Sequence, residues 1–283
     1  MRGLWLLAVM LLAGCQHVAA PPPISGEIRD LRNGQVLTAQ QLLTRLVESE
    51  RLIIGEQHDN ADHHAAQLWL LRSLGEQRPQ GSLLLEMLTP DQQPRIDQVR
   101  QAATPPADFP AALAWKDGWD WNLYGPIVRF ALTQPYPLLA ANLNSAEIRT
   151  FYRDPPVLNG ESSNTASVKA VLLEQISDSH CGLLPESQMP AMLAVQQQRD
   201  RRMAERLLAA PSPSVLLAGA WHARKDVGVP LHVVDLGAAQ APTVLLLAEH
   251  GSEVTAAMAD YVWYTPATPK QDYCEQMRKQ FGK

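Results

Sequence analysis

The chain has 283 residues, 24 Lys+Arg against 29 Asp+Glu, a net charge of -5 and 46% hydrophobic residues. That is enough chain and apolar content to bury the core of one large domain, which excludes intrinsic disorder, and 3 cysteines are too few for a disulfide-built miniprotein. An acidic chain without Lys/Arg blocks is also no nucleic-acid binder, because neutralising phosphates needs clustered cations.

The first segment reads as an address. Arg2 supplies a positive start, and Leu4 to Ala13 is nearly all apolar yet about half the length of a spanning helix. Leu12-Ala13-Gly14-Cys15 then reads as a bacterial lipoprotein cleavage site. Residues 1–14 are expected to leave as a signal peptide, with Cys15 lipidated. Residues 15–30, with Pro21-Pro22-Pro23, are expected to form a stiff tether. Gln16 stands where an Asp would retain the protein at the inner membrane, so the expected location is the outer membrane, lipid-anchored. Cys181 and Cys274 remain, and in an oxidising compartment they are expected to pair; two buried free thiols are the alternative.

From residue 31 to 283 short apolar runs alternate with helical patterns, the signature of a parallel sheet flanked by helices. The runs are Leu52-Ile53-Ile54, Leu83-Leu84-Leu85, Leu138-Leu139-Ala140, Val215-Leu216-Leu217, Leu231 to Val234 and Val244 to Leu247. Each is short and nearly unbroken, as strands buried on both faces are. Asn60 is placed to cap a helix reaching residue 78, with Asp62 in its first turn. Residues 122–134 and 186–209 also read as helices. Residues 88–135 and 143–212 hold no strand-like run; the second stretch, roughly 143–195, is expected to form a smaller all-helical subdomain. Tyr261-x-x-Tyr264 reads as a final strand or a core turn. The fold class is therefore α/β: a mostly parallel sheet flanked by helices, with a helical subdomain.

Polar residues follow four of the runs. The first leads into Gly55-Glu56-Gln57-His58-Asp59, the second into Glu86, the third into Asn142 and the fourth into Gly219-Ala220-Trp221-His222. In a parallel sheet these ends share the edge where open α/β sheets bind ligands. Glu56, His58, Glu86 and His222 are candidate acid–base residues or ligands of a divalent metal. The plainer alternative pairs Glu56 with Arg224 and leaves the histidines as packing or capping groups. The glycine opening each Gly-x-x-His is expected to permit a tight turn. Of His63 and His64, adjacent and so about 100° apart on the helix, one is expected to be solvated and the other partly packed; the alternative turns one of them into the cleft beside His58. Met192, Gln196, Asp200, Met203 and Leu207 share one helix face, so Asp200 sits on an apolar stripe and needs a partner: a site histidine or a nearby arginine. Trp115, Trp119, Trp121 and Tyr124 read as core of the helical material or as the lining of a flat pocket.

Taken together these residues resemble the ChaN-like haem-binding lipoproteins, whose fold is related to the Tiki/TraB and erythromycin-esterase proteins. The resemblance is carried by Gly55-Glu56-Gln57-His58-Asp59-Asn60 with His64, Glu86-Met87 and Trp119-x-x-x-x-Tyr124-x-Pro126. It continues through Ala140-Ala141-Asn142, Gln196-x-x-Arg199-Asp200-x-x-Met203-Ala204 and Gly219-x-x-His222-Ala223-Arg224-x-Asp226-x-Gly228-Val229-Pro230. It implies a parallel sheet with a smaller helical part and periplasmic haem binding in iron acquisition. Haem is then held between two subunits, with a tyrosine on the iron and basic groups on the propionates. Partners so implied are haem, a second copy of the chain, the membrane through the lipid, and an outer-membrane haem receptor. The Tiki-type relatives use paired Gly-x-x-His motifs in metal-dependent cleavage, so the resemblance points two ways.

A tyrosine also suits the chemistry: its phenolate is an anionic oxygen ligand for ferric haem. No Cys-x-x-Cys-His is present for covalent haem attachment. The candidates are Tyr152, flanked by Arg149 and Arg153 for propionates, and Tyr124. Three functions stand open: a haem-binding lipoprotein, placed first; a metal-dependent hydrolase using Glu56, His58, Glu86 and His222; and a lipid-anchored interaction protein with a vestigial site. No Gly-x-Ser-x-Gly or P-loop supports another enzyme class.

Overall fold

A computed structural model describes residues 21–269 and 272–281. The signal-peptide expectation and Cys15 lie outside them. In chain order the elements are β1 (Glu27–Asp30), β2 (Gln35–Leu37), α1 (Ala39–Leu46), β3 (Arg51–Glu56), α2 (Ala61–Gln77) and β4 (Ser82–Leu85). Next come α3 (Gln93–Gln101), α4 (Phe109–Leu113), α5 (Trp121–Leu132), β5 (Leu138–Ala140), α6 (Ser145–Arg153), α7 (Ala166–Ser179) and α8 (Met189–Ala209). The chain closes with β6 (Ser214–Gly219), α9 (Ala220–Ala223), α10 (Val229–Asp235), β7 (Thr243–Glu249), β8 (Tyr261–Thr265) and α11 (Tyr273–Phe281).

The eight strands form one sheet in the order β2-β1-β8-β7-β3-β6-β4-β5. From β8 to β5 every neighbouring pair is parallel, while β1 runs antiparallel to both β2 and β8. Strand alternation sorts the apolar runs into two cores. On one face Leu52, Ile54, Leu83, Leu85, Val215 and Leu217 meet α1, α2 and α5 through Leu43, Leu70 and Ile127. On the other, Ile53, Leu84, Leu216 and Leu246 meet Met203, Ala204 and Leu207 of α8 and Val233 of α10. All of these but Leu246, at 3% exposure, are fully buried, and burial of each such leucine or isoleucine stabilises the fold by about 1.5–3 kcal/mol.

α6, α7 and the first turns of α8 make the helical subdomain. Val168, Leu172 and Val227, with Val171, Leu193 and Leu231 half-buried around them, tie α7 to α8 and α10. α8 runs unbroken to Ala209, so the subdomain shares a helix with the main domain and has no boundary at residue 195. Asn60 caps α2 as expected, its side chain accepting from Asp62 and His63 N–H. A disulfide joins Cys181, after α7, to Cys274 in α11, with Cα atoms 5.5 Å apart.

Two expectations are corrected. Leu231 to Val234 is helical, within α10: Pro230 stands in the first turn, where its missing N–H costs nothing, and the run is too short for periodicity to separate helix from strand. The hairpin β1–β2 was not expected, because Glu27-Ile28-Arg29-Asp30 is polar at an edge. The tether expected over 15–30 therefore ends before Glu27, which pairs with Tyr264 of β8. Of the two readings of Tyr261-x-x-Tyr264, the strand is the one found, over Tyr261–Thr265.

Candidate functional site

Strand register brings the expected ends together. β3, at the sheet's centre, lies beside β6, with Glu56 opposite Gly219, and Leu85 of β4 is opposite Leu217 of the same β6. Glu56, Glu86 and the one-turn helix α9 with His222 therefore meet at the carboxyl edge of the parallel strands. Neither site glycine takes a left-handed backbone; both are needed for close approach instead. A Cβ on Gly219 would fall 2.7 Å from His58 Nε2, and one on Gly55 2.6 Å from the Ala223 Cβ.

Two buried clusters result. In the first, the Tyr124 hydroxyl donates to Glu56 Oε1 at 2.5 Å, and His58 Nδ1 lies 3.0 Å from both that oxygen and the tyrosine oxygen. His64 Nε2 donates to the His58 carbonyl at 2.9 Å, and its Nδ1 lies 3.1 Å from Glu56 Oε2, off the hydrogen-bonding direction. In the second, Glu86 Oε2 accepts the Gly219 N–H at 2.8 Å and Glu86 Oε1 faces His222 Nε2 at 3.4 Å. His222 Nδ1 then meets Asp200 Oδ1 at 2.6 Å, with Gln196 Nε2 3.4 Å away. So Asp200 finds a site histidine, while Arg224 pairs with Asp226 and stacks on Trp221 rather than meeting Glu56.

Charge follows this wiring. Burial works against ionisation of Glu86, but His222, His58 and the Gly219 N–H outweigh it and hold the carboxyl below its ordinary range. Burial likewise opposes the imidazolium of His222, and Glu86 with Asp200 outweighs it, raising the pKa. His58 is raised too: desolvation is overcome by the Glu56 hydrogen bond and by the fields of Glu86, Glu56 and Asp59. His63 goes the other way. Burial and the neighbouring His64 push it down to about 4, so its neutral ring accepts the Gln57 N–H and meets Thr265 Oγ1, each at 3.0 Å. Both His63 and His64 are buried, against the expectation that one is solvated: the capped start of α2 tucks under the sheet edge.

The candidate metal donors Glu56, His58, Glu86 and His222 meet at the edge but are turned toward one another. Among the described residues no three His, Cys, Asp or Glu side chains group so as to hold an ion. The donors face one another: Glu56 is taken by Tyr124 and His58, Glu86 by Gly219 and His222, and His222 by Asp200 as well.

The two tyrosine candidates part company. Tyr124 is 1% exposed with its proton given to Glu56; burial and that carboxylate push its pKa far up. It has no phenolate to offer and no open face, so it is withdrawn as a haem ligand. Trp115 and Trp119 pack around it as half-buried core, with Trp119 set edge-on to His58 at 4.9 Å. Tyr152 lies elsewhere, on α6. No residue of that helix is buried: Ile148, Phe151 and Tyr152 are half-covered, Arg149 and Arg153 are exposed. The Arg149 guanidinium makes no ion pair among the described residues, and Arg153 Nε donates to the Arg149 carbonyl at 3.2 Å. A half-covered phenol between two exposed cations suits a flat apolar ligand with two carboxylates, so these residues fit haem.

A family model described as haem-binding uptake, Tiki superfamily, ChaN matches residues 42–233. The structure is similar to that of ChaN from Campylobacter jejuni, described by its cofacial haem binding. The TM-score is 0.79 and the identity 28%, over 86% of this chain and 97% of that one. An erythromycin esterase in its open conformation gives a TM-score of 0.48 at 14% identity, over 89% of this chain and 86% of that one. A Bacillus cereus protein gives 0.45 at 12%, over 82% and 74%. No curated protein sequence matches the chain.

Proposed function

The chain belongs to the haem-binding uptake family of the Tiki superfamily that includes ChaN, and from that premise we propose that it is a lipoprotein of the outer membrane, facing the periplasm, that binds ferric haem through Tyr152. The observation that carries the reading is the α6 surface, where Tyr152 stands half-covered beside Phe151 and the exposed Arg149 and Arg153. The tyrosine oxygen holds ferric iron as an anionic ligand, and the two guanidiniums take the propionates. Haem, once bound, supplies the iron that is the cargo. The protein's part is to orient the ring on α6 and to shield one of its faces.

The other face needs a cover. Two copies of the chain placing their haems face to face, the arrangement named for the C. jejuni protein, remove both apolar faces from water and link dimerisation to haem. The lipid on Cys15 and an outer-membrane haem receptor as the neighbouring partner complete this reading. Titrating the soluble mature chain with hemin tests it: a saturable Soret change at one haem per chain and a doubled sedimentation mass are expected. A chain that stays monomeric with haem bound refutes the dimer; no saturable Soret change refutes the function.

A further inference from the structure

A cavity of about 360 Å³ opens at the amino edge of the sheet, the far end of the parallel strands from Glu56 and His222. Arg51 opens β3, Thr243 opens β7 and Tyr261 opens β8, and all three line it. Four cations reach it from four separate segments: Arg32 in the β1–β2 turn, Arg45 on α1, Arg51, and Lys225 after α9. Glu48, Glu50 and Asp260 line the same cavity, so what each charge is paired with decides what the cavity can hold.

Three of the cations are held. Buried Asp30 takes two: its Oδ1 accepts from Arg32 Nε at 2.9 Å, and its Oδ2 accepts from Arg32 Nη2 at 2.7 Å and from Arg45 Nη1. Asp260 takes the third, with Lys225 Nζ donating to Oδ1 at 2.7 Å and the Val244 N–H to Oδ2 at 2.8 Å. Arg51 differs. Its Nη1 lies 3.5 Å from Oε2 of Glu50, a side chain that is 67% exposed, and an exposed pair at that distance holds little. Arg51 Nε is buried without a partner, and Nη2 makes no hydrogen bond among the described residues. Nε and Nη2 are the side edge of the guanidinium, the pair that grips an oxyanion through two parallel N–H bonds. A buried donor without an acceptor is costly, so this edge is the place in the cavity where an acceptor gains most.

We infer that this cavity binds a soluble phosphate monoester, held by the side edge of Arg51. Charge sets the kind of anion. The four cations stand against two covered carboxylates, Asp30 and Asp260, while Glu48 and Glu50 are exposed, where water and salt screen them. Two positive charges are thus left for a ligand, which a phosphate dianion matches and a monocarboxylate does not. The phosphate displaces only the weak contact of Glu50. The volume leaves room for a small polar ester group, to which Ser49, Gln240 and Thr243 in the lining offer hydroxyl and amide partners. This site goes beyond the haem reading and shares no residue with the α6 surface.

The test uses the mature chain labelled with 15N-arginine. The Arg51 Nε–H signal, assigned by its loss in Arg51→Lys, is followed by NMR. Glycerol 3-phosphate is expected to give a saturable downfield shift of that proton, as an unpaired donor gains a charged acceptor. Acetate at matched ionic strength is expected to bind about tenfold or more weakly, and sodium chloride to give no saturable shift. Arg51→Gln is expected to weaken glycerol 3-phosphate binding, read by calorimetry, about tenfold or more. Arg51→Lys, which keeps the charge and loses the fork, is expected to fall between, and it serves if the Gln variant does not fold. Hemin titration of both variants is expected to match the wild type, which separates this site from haem. No saturable shift with glycerol 3-phosphate overturns the proposal, as does equal binding of acetate, a shift that sodium chloride reproduces, or unchanged affinity in both Arg51 variants. Sedimentation with phosphatidate vesicles without any response to the soluble ester places the ligand in a membrane and overturns it too.

Discussion

His63 links the acid stability of the fold to one side chain. Its ring is fully buried, accepts the Gln57 N–H and is held down to about 4 from an ordinary 6.5. A histidine with a lowered native pKa stays neutral in the native state while the unfolded chain takes up a proton. Stability is therefore whole above the unfolded value and is lost as pH falls toward the native one. Each pH unit across that window is worth about 1.4 kcal/mol. At about pH 5 the loss is about 2 kcal/mol relative to about pH 8, growing to roughly 3.4 kcal/mol once both states are protonated. His63→Gln removes this linkage while lowering stability at every pH through its lost hydrogen bonds. Urea unfolding of both proteins across that range reads the difference: the gap between them is expected to narrow by about 2 kcal/mol on acidification. Parallel profiles would mean that the burial and hydrogen bonding of His63 do not control its protonation.

Three further outcomes follow from the geometry and the sequence. Gly219→Ala places a methyl 2.7 Å from His58 Nε2; the ring is expected to swing off Glu56 at a cost of about 1 kcal/mol, read as a moved His58 NMR signal, and an unmoved signal contradicts the close approach. For the Cys181–Cys274 link, spanning 93 residues, chain entropy gives about 4–5 kcal/mol. Cys274→Ser is expected to lower the urea midpoint accordingly, and a loss under about 1 kcal/mol would show that α11 opens independently of the rest. Cys15→Ala is expected to abolish incorporation of a fatty-acid analogue in cells; equal label in both versions rejects lipidation at that residue.

What the sequence made legible was set by burial on both faces. The strands β3, β4, β5, β6 and β7 announced themselves because their central residues are apolar on both faces of the sheet. β1 and β2 stayed hidden because an edge hairpin needs no such run; Asp30 in β1 is buried but held by Arg32 and Arg45. Leu231 to Val234 misled for the converse reason, since a short helix buried against α8 is as apolar as a strand.

At the site, Glu56, His58, Glu86 and His222 were readable from their places after strands, and Asp200 from its misfit on an apolar stripe. Their mutual pairing was not readable, because it depends on register between β3, β6 and β4. That pairing turns the candidate donors toward one another and makes Tyr124 a support for Glu56. Arg199 lay within the family pattern, yet that its charge has no partner among the described residues was not readable there.

The most direct measurement of the central claim compares the hemin complexes of the wild type, Tyr152→Phe and Tyr124→Phe by absorption spectroscopy. The wild type is expected to show the charge-transfer bands of phenolate-bound ferric haem. Tyr152→Phe is expected to lose them with its fold intact by circular dichroism. Tyr124→Phe, which removes the buried hydroxyl bonded to Glu56 and His58, is expected to keep them despite losing about 1–3 kcal/mol of stability. Bands that survive in Tyr152→Phe contradict the account, and bands lost in folded Tyr124→Phe alone would put the haem at the Glu56 site instead.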